Sequence, residues 1–92
     1  MARYLMLGKY SQEAVKGISA SRTKKAAEII KKNHGKVNFM NVLIGSYDIG
    51  MLVDFPSNRE LIKASIALTK LTGVGFTTFP AVSIDEFDKL VG

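Results

Sequence analysis

The middle of the chain has the sequence KVNFMNVLIGSYDIGMLVDF, residues 36–55. Two runs rich in apolar, β-branched and aromatic residues, Lys36–Ile44 and Asp48–Phe55, flank a three-residue connection at 45–47. Runs of this composition are typical of strands, and a connection this short joins neighbouring strands into a hairpin. The segment therefore predicts an antiparallel β-hairpin, with Gly45 at positive φ in its turn.

A helical region precedes the hairpin. Ser11 opens it, but the glycine and serines of residues 17–21 compete with helix, so we expect a short first turn and a main helix from about Arg22. The sequence Asn-His-Gly at 33–35 predicts the end of that helix, with Gly35 in the left-handed conformation.

A second helix follows the hairpin. Ser57 and Glu60 have the spacing of a capping box, and the apolar periodicity then continues to Gly73. Ser83 and Glu86 repeat the capping pattern near the end of the sequence. The terminal helix they predict carries apolar residues spaced to dock on one side, namely Ile84, Phe87, Leu90 and Val91.

Two outer strands complete the pattern. Arg3–Tyr10 alternates with period two, but both faces are apolar: Leu5 and Leu7 lie on one side, Tyr4 and Met6 on the other. Val74–Val82 is the last strand, and Pro80 predicts that its end lies at a sheet edge or leaves the sheet, because proline cannot donate to a ladder.

The order βαββαβ predicts an α+β, ferredoxin-like domain over residues 1–92, with a four-stranded antiparallel sheet, two main helices on one face and a short C-terminal helix. The other sheet face, about 400 Å² in area, is left apolar and uncovered. Burying two such faces yields about 20 kcal/mol gross, more than the roughly 4–15 kcal/mol cost of association. We therefore expect a homo-oligomer, a dimer or larger, formed through the helix-free face.

The net charge of +5 comes from one segment. Residues 11–36 contain seven basic and two acidic residues, and the rest of the chain is balanced. Nucleic-acid binders usually combine such lysines with arginines and aromatic residues, whereas this segment has one arginine and no aromatic residue. A solvated helix face is the favoured interpretation, and nucleic acid is not an expected partner.

The absence of cysteine and the single histidine limit the chemistry. Neither a disulfide framework nor a thiolate zinc site is available, so we predict no metal and no cofactor, although magnesium or calcium stays open. The first apolar run, residues 4–7, is too short for a signal peptide or a membrane span. The expected location is the cytoplasm, without membrane attachment.

The candidate catalytic residues are Tyr47, Asp48 and His34. Tyr47 and Asp48 place a phenol and a carboxylate beside the predicted turn, and His34 is the only side chain that ordinarily titrates near neutral pH. The candidate ligand-binding residues are Gly45, Tyr47, Asp48, Tyr4 and Met6. A structural role competes with each: turn formation for Gly45 and Asp48, a helix C-terminal position for His34, and core packing for the rest.

The Gly-x-Tyr-Asp sequence at 45–48 resembles the signature of the GYD domain family, and so do residues 4–7, the Thr-Gly-Val sequence at 72–74 and Phe87. The resemblance spans nearly the whole chain and implies a dimeric α/β-barrel relative without an assigned reaction. The hairpin and the turn at 73–74 are also similar to the ligand-binding domain of leucine-responsive regulators, which sense amino acids at subunit interfaces. Residues 1–92 contain no helix-turn-helix, so we do not expect a direct transcription-factor role.

Three functional hypotheses follow. The first is a small-molecule-binding or regulatory module that works as a homo-oligomer. The second is a cofactor-free enzyme, since the resemblance to dimeric barrels extends to monooxygenases and isomerases. The third is a structural association module whose sheet interface is filled by side chains.

Overall fold

The computed structural model describes residues 1–92. The chain forms four strands and four helices in the following order: β1 (Ala2–Lys9), α1 (Gln12–Lys16), α2 (Ala20–Lys32), β2 (Lys36–Val42), β3 (Ile49–Phe55), α3 (Asn58–Thr72), β4 (Gly75–Ala81) and α4 (Ile84–Val91). The strands form one antiparallel sheet in the order β2-β3-β1-β4. This is the ferredoxin-like arrangement that the sequence predicts, and the strand bounds differ from the predicted ones by no more than two residues.

The core lies between one face of the sheet and the two main helices. Tyr4 and Met6 of β1 pair with Val53 and Met51 of β3, and all four side chains are buried. The helices complete this core with Ala26 and Ile30 of α2 and Leu61, Ala64 and Leu68 of α3. Because side chains alternate along a strand, the intervening residues of β1 and β3 face away from the helices.

A β-bulge in β2 determines which of its side chains enter the core. Val37 pairs with Val53 and Phe39 pairs with the next residue, Leu52, so Asn38 is the extra residue of the bulge. In a regular strand Val37 and Phe39 would share a face. The bulge instead turns Phe39 to the face without helices and leaves Met40, paired with Met51, on the helix side.

Each helix begins after a serine whose hydroxyl accepts a backbone N–H, as the ranking of N-cap residues favours. The capping serines are Ser11, Ser19, Ser57 and Ser83. The starts of α3 and α4 at Ser57 and Ser83 confirm the sequence prediction. The main helix α2 begins two residues before the predicted Arg22, because Ser19 caps it.

The prediction of Gly35 as the left-handed residue after α2 is wrong. His34 takes that conformation, with φ 64°. His34 N–H donates to the Lys31 carbonyl at 3.0 Å and Gly35 N–H to the Ile30 carbonyl at 2.8 Å, the two bonds of a Schellman motif. Glycine is needed at 35 for space, since a Cβ there would lie 2.5 Å from Cε1 of Phe55.

The terminal helix α4 does not bury the apolar side that the sequence predicts for it. All four of these apolar residues are exposed, and α4 makes few contacts with the other elements. The molecule is elongated, with extents of 48 × 30 × 18 Å. None of its helices is long and apolar enough to span a membrane.

Candidate functional site: the open sheet face

The face of the sheet opposite α2 and α3, here called the open face, has an apolar centre. A row of four paired side chains crosses all four strands: Phe39 of β2, Leu52 of β3, Leu5 of β1 and Phe79 of β4. Phe39 and Phe79 at the two ends are 42% and 46% exposed, and the two leucines between them are half-buried. No element of the chain covers this row.

The next paired row contains a glycine that two leucines cover. Gly50 is buried and faces the same side as its partner Leu7. A Cβ at Gly50 would lie 3.1 Å from Cδ1 of Leu43 and 3.6 Å from Cδ2 of Leu7, so these two side chains already fill the space beside it. The apolar surface of the open face therefore extends over Leu7 and Leu43.

The other end of the open face is polar. Arg3 Nε donates to Asp54 Oδ1 at 2.9 Å across the β1–β3 pair, and Asn38 Nδ2 donates to Asp54 Oδ2 at 3.1 Å. The hydrogen bond from Arg3 is the main reason that the pKa of Asp54 lies below its ordinary value, and the bond from Asn38 adds to it. The open face thus combines an apolar centre with a fixed cation, carboxylate and amide.

An open cleft of about 820 Å³ adjoins this polar end, between the sheet and the start of α4. Its polar lining includes Arg3, Asp54, Asn58, Ser83 and Glu86. The pKa of Arg3 is raised, mainly by Asp54 and to a smaller extent by the negative charge of Glu86. The Tyr4 hydroxyl donates to Oδ1 of Asn58 at the same end of the sheet.

The Gly-x-Tyr-Asp loop lies at the opposite end of β2 and β3, where Asp48 ties it to β1. The Asp48 N–H donates to the Gly8 carbonyl at 2.8 Å, and its Oδ2 accepts the Tyr10 N–H at 2.9 Å. Gly45 has φ 143°, the positive φ that the sequence predicts. Tyr47 is half-buried. The carboxylate of Asp48 is occupied in holding the loop.

The structure does not bring the three candidate catalytic residues together. His34 precedes β2 and the loop with Tyr47 and Asp48 follows it, so a strand of seven residues, about 20 Å long, separates them. A hydrogen bond from Ser57 is the main cause of the lowered pKa of Glu60, and the nearby His34 is a minor one. Tyr4 and Met6 lie in the helix-covered core, away from the open face.

A small, partly open pocket of about 50 Å³ lies between the helices and the sheet. Its lining includes Tyr10, Arg22, Met40, Met51, Leu68 and Phe76. Ligand pockets usually have several hundred cubic ångströms, and 50 Å³ is a volume for ordered water. The structure gathers no group of three or more histidine, aspartate or glutamate side chains that could hold a metal ion.

Comparison with known proteins identifies the family. Residues 4–91 match the family model of the GYD domain. The chain belongs to the GYD domain family. Its fold is similar to that of the Mycobacterium tuberculosis leucine response regulatory protein LrpA, with a TM-score of 0.59 and 13% sequence identity over 89% of this chain. The match covers 51% of the LrpA chain, so the GYD domain described here spans about half its length. No curated protein matches the sequence at a significant level.

Sequence reasoning missed the polar cluster of Arg3, Asp54 and Asn38. Arg3 and Asp54 are 51 positions apart, and only the register of β1 against β3 makes them neighbours. Asn38 reaches the cluster because it is the bulged residue of β2. The available signal was a polar residue in each of three mostly apolar runs.

Replacement of Gly45 by alanine should lower the free energy of unfolding by about 1–2 kcal/mol, because a φ of 143° strains any residue with a Cβ. The alanine Cβ itself would meet no atom within 4 Å, so the cost comes from the backbone alone. Gly75→Ala is the matched control: it also meets no atom within 4 Å, and its φ is not positive. Denaturant unfolding of both variants checks this, and equal stabilities would contradict it.

Replacement of Arg3 by glutamine should raise the pKa of Asp54 towards its ordinary value, since the main cause of its depression is lost. A depressed carboxyl pKa stabilises the fold above the unfolded-state pKa, and this contribution disappears as the pH falls through the folded-state pKa. Titration of the Asp54 carboxyl carbon by NMR measures the shift, with Lys24→Gln as a remote control. An unchanged Asp54 titration in Arg3→Gln would contradict the assignment.

Proposed function

We propose that this GYD domain is a self-associating binding module. Two copies pair through their open faces, and the space between the sheets takes a small, largely apolar or amphipathic molecule. The observation that carries the proposal is the apolar row of Phe39, Leu52, Leu5 and Phe79, which crosses the whole sheet without an intramolecular cover.

Pairing of the open faces follows from the cost of leaving this row in water. An apolar patch across all four strands is typical of an interface, and a second copy offers a surface of the same chemistry. The cations of the face lie at its two ends: Arg3 and Lys36 beside Asp54 at one end, and Lys9 at the other. The apolar row between them carries no charge, so two such rows meet without charge repulsion at the centre.

Ligand binding is supported by the combination of an apolar centre and a polar end on the open face. The cluster of Arg3, Asp54 and Asn38 offers donors and an acceptor at one end of the apolar row. Sites for small molecules commonly combine an apolar lining with a few such polar groups. The chemistry fits an apolar molecule with one polar or anionic end.

The competing enzyme hypothesis loses its original residues, because His34 is separated from Tyr47 and Asp48 by the length of β2. The polar groups that do converge, Arg3, Asp54 and Asn38, are bonded to one another. They are therefore better suited to orienting a ligand than to proton transfer.

Replacement of Leu52 by glutamate should shift the protein to smaller species, because the charge lies at the centre of the proposed interface and burying it costs several kcal/mol. Sedimentation at micromolar concentration measures this against the 10.1 kDa chain mass. Ala27→Glu on the exposed side of α2 makes the same charge change and should leave the mass unchanged. A wild-type monomer, or an unaffected Leu52→Glu oligomer, would refute pairing through this face.

Native mass spectrometry of freshly purified protein should detect a small molecule that leaves with the oligomer and is absent from Leu52→Glu. The same experiment separates the binding module from a purely structural association module. An oligomer of bare chains would favour the structural alternative. A bound molecule retained by the Leu52→Glu monomer would place the site elsewhere.

A further inference from the structure

Two exposed apolar stripes with opposite flanking charges lie on different helices. On α4, the stripe consists of Ile84, Phe87, Leu90 and Val91, all exposed, with Asp88 beside it on one side and Glu86 on the other. On α3, the outer surface carries Ile62 and Ile66, one helical turn apart and 56% and 53% exposed. The exposed charged residues around them are basic, namely Arg59, Lys63 and Lys70.

We propose that α4 of one molecule docks on the outer face of α3 of a second copy. The two stripes then cover each other, and the acidic margins of α4 meet the basic margin of α3. An eight-residue helix is about 12 Å long, which matches the two turns that carry Ile62 and Ile66. Apolar contact supplies most of the attraction, and the charges select the surface.

The open face is a poorer partner for α4 than the outer face of α3. Its cations already have partners: Arg3 is bonded to Asp54, Lys36 is paired with Asp54 across the strands, and Lys9 Nζ donates to the Ser46 carbonyl at 3.3 Å. An acidic helix laid on the open face would therefore compete with these contacts. The α3 surface offers three exposed cations around the apolar pair.

Docking within one chain is restricted by the connection. Only Val82 and Ser83 separate the end of β4 from the start of α4, and such a connection spans about 10 Å when fully extended. The outer face of α3 lies a helix diameter, about 10–12 Å, beyond its contact with the sheet. Ser83 is also fixed as the N-cap, its hydroxyl accepting the Glu86 N–H at 3.1 Å. A second copy meets the α3 stripe without disturbing this end of β4.

The short length of α4 gives an independent reason for a partner. Isolated helices below about 12–15 residues are marginal in water, and most helix stability in proteins comes from packing of an apolar face. α4 has eight residues and no packed face within its own chain. A second copy supplies that missing surface.

Disulfide trapping tests the contact against a clean background, because the chain has no cysteine. Ile66→Cys protein and isotope-labelled Leu90→Cys protein are mixed and mildly oxidised. We expect a mixed disulfide that forms faster than the one between Lys24→Cys and Leu90→Cys, where Lys24 is an exposed position on α2. Equal rates for the two mixtures would overturn the proposal.

Two further experiments test the charge complementarity of α3 and α4 and the requirement for a second molecule. Asp88→Lys in the Leu90→Cys chain should slow the mixed disulfide about two- to fivefold at low ionic strength, the range expected for exposed charge pairs. An unchanged rate would show that the charges do not select the α3 surface.

The double variant Ile66→Cys/Leu90→Cys, diluted into excess unsubstituted protein before oxidation, should form little cross-link, because most of its partners then lack cysteine. A cross-link that persists within single chains would show intramolecular docking instead.

Discussion

The two-sided apolar character of β1 is the constraint on which the rest of the structure depends. β1 lies between β3 and β4, and its side chains alternate between the two faces of the sheet. The two main helices cover Tyr4 and Met6 on one side. Nothing in the chain covers Leu5 and its neighbours on the other, so the open face follows directly from the pattern of one strand and the number of helices available to pack on it.

The strands, the hairpin and the helix starts could be predicted because each has a local cause: period-two alternation, a short glycine-containing connection, or a serine cap. Which face of β1 the helices cover could not, since Leu5 and Leu7 are as apolar as Tyr4 and Met6. The bulge at Asn38 could not be predicted from the sequence either, although it determines that Phe39 faces away from the core. The left-handed conformation was predicted for Gly35 and is found at His34, because glycine usually adopts it and histidine does so less commonly.

The roles of the candidate site residues were harder to predict than the strands and helices, because these roles depend on pairing between distant parts of the chain. Asp48 bonds the Tyr10 N–H, a contact between positions 38 residues apart that no local pattern contains. The separation of His34 from Tyr47, by contrast, was already implied by the predicted hairpin: a residue before the first strand and a residue in the turn lie at opposite ends of that strand. Topology alone was enough to separate them, whereas the Arg3–Asp54 pair needed the register.

The two proposed association surfaces differ in what they cost to form. The open face belongs to a hydrogen-bonded sheet and is already in place, so pairing through it orders little beyond side chains. α4 is an eight-residue helix without intramolecular packing, and holding its backbone helical costs about 1–2 kcal/mol per residue in conformational entropy before docking offsets it. Since α3 and the open face lie on opposite sides of the sheet, the two proposed contacts would join different pairs of molecules. We therefore expect pairing of the sheets to come first as concentration rises, and docking of α4 on α3 to link the pairs into a larger assembly.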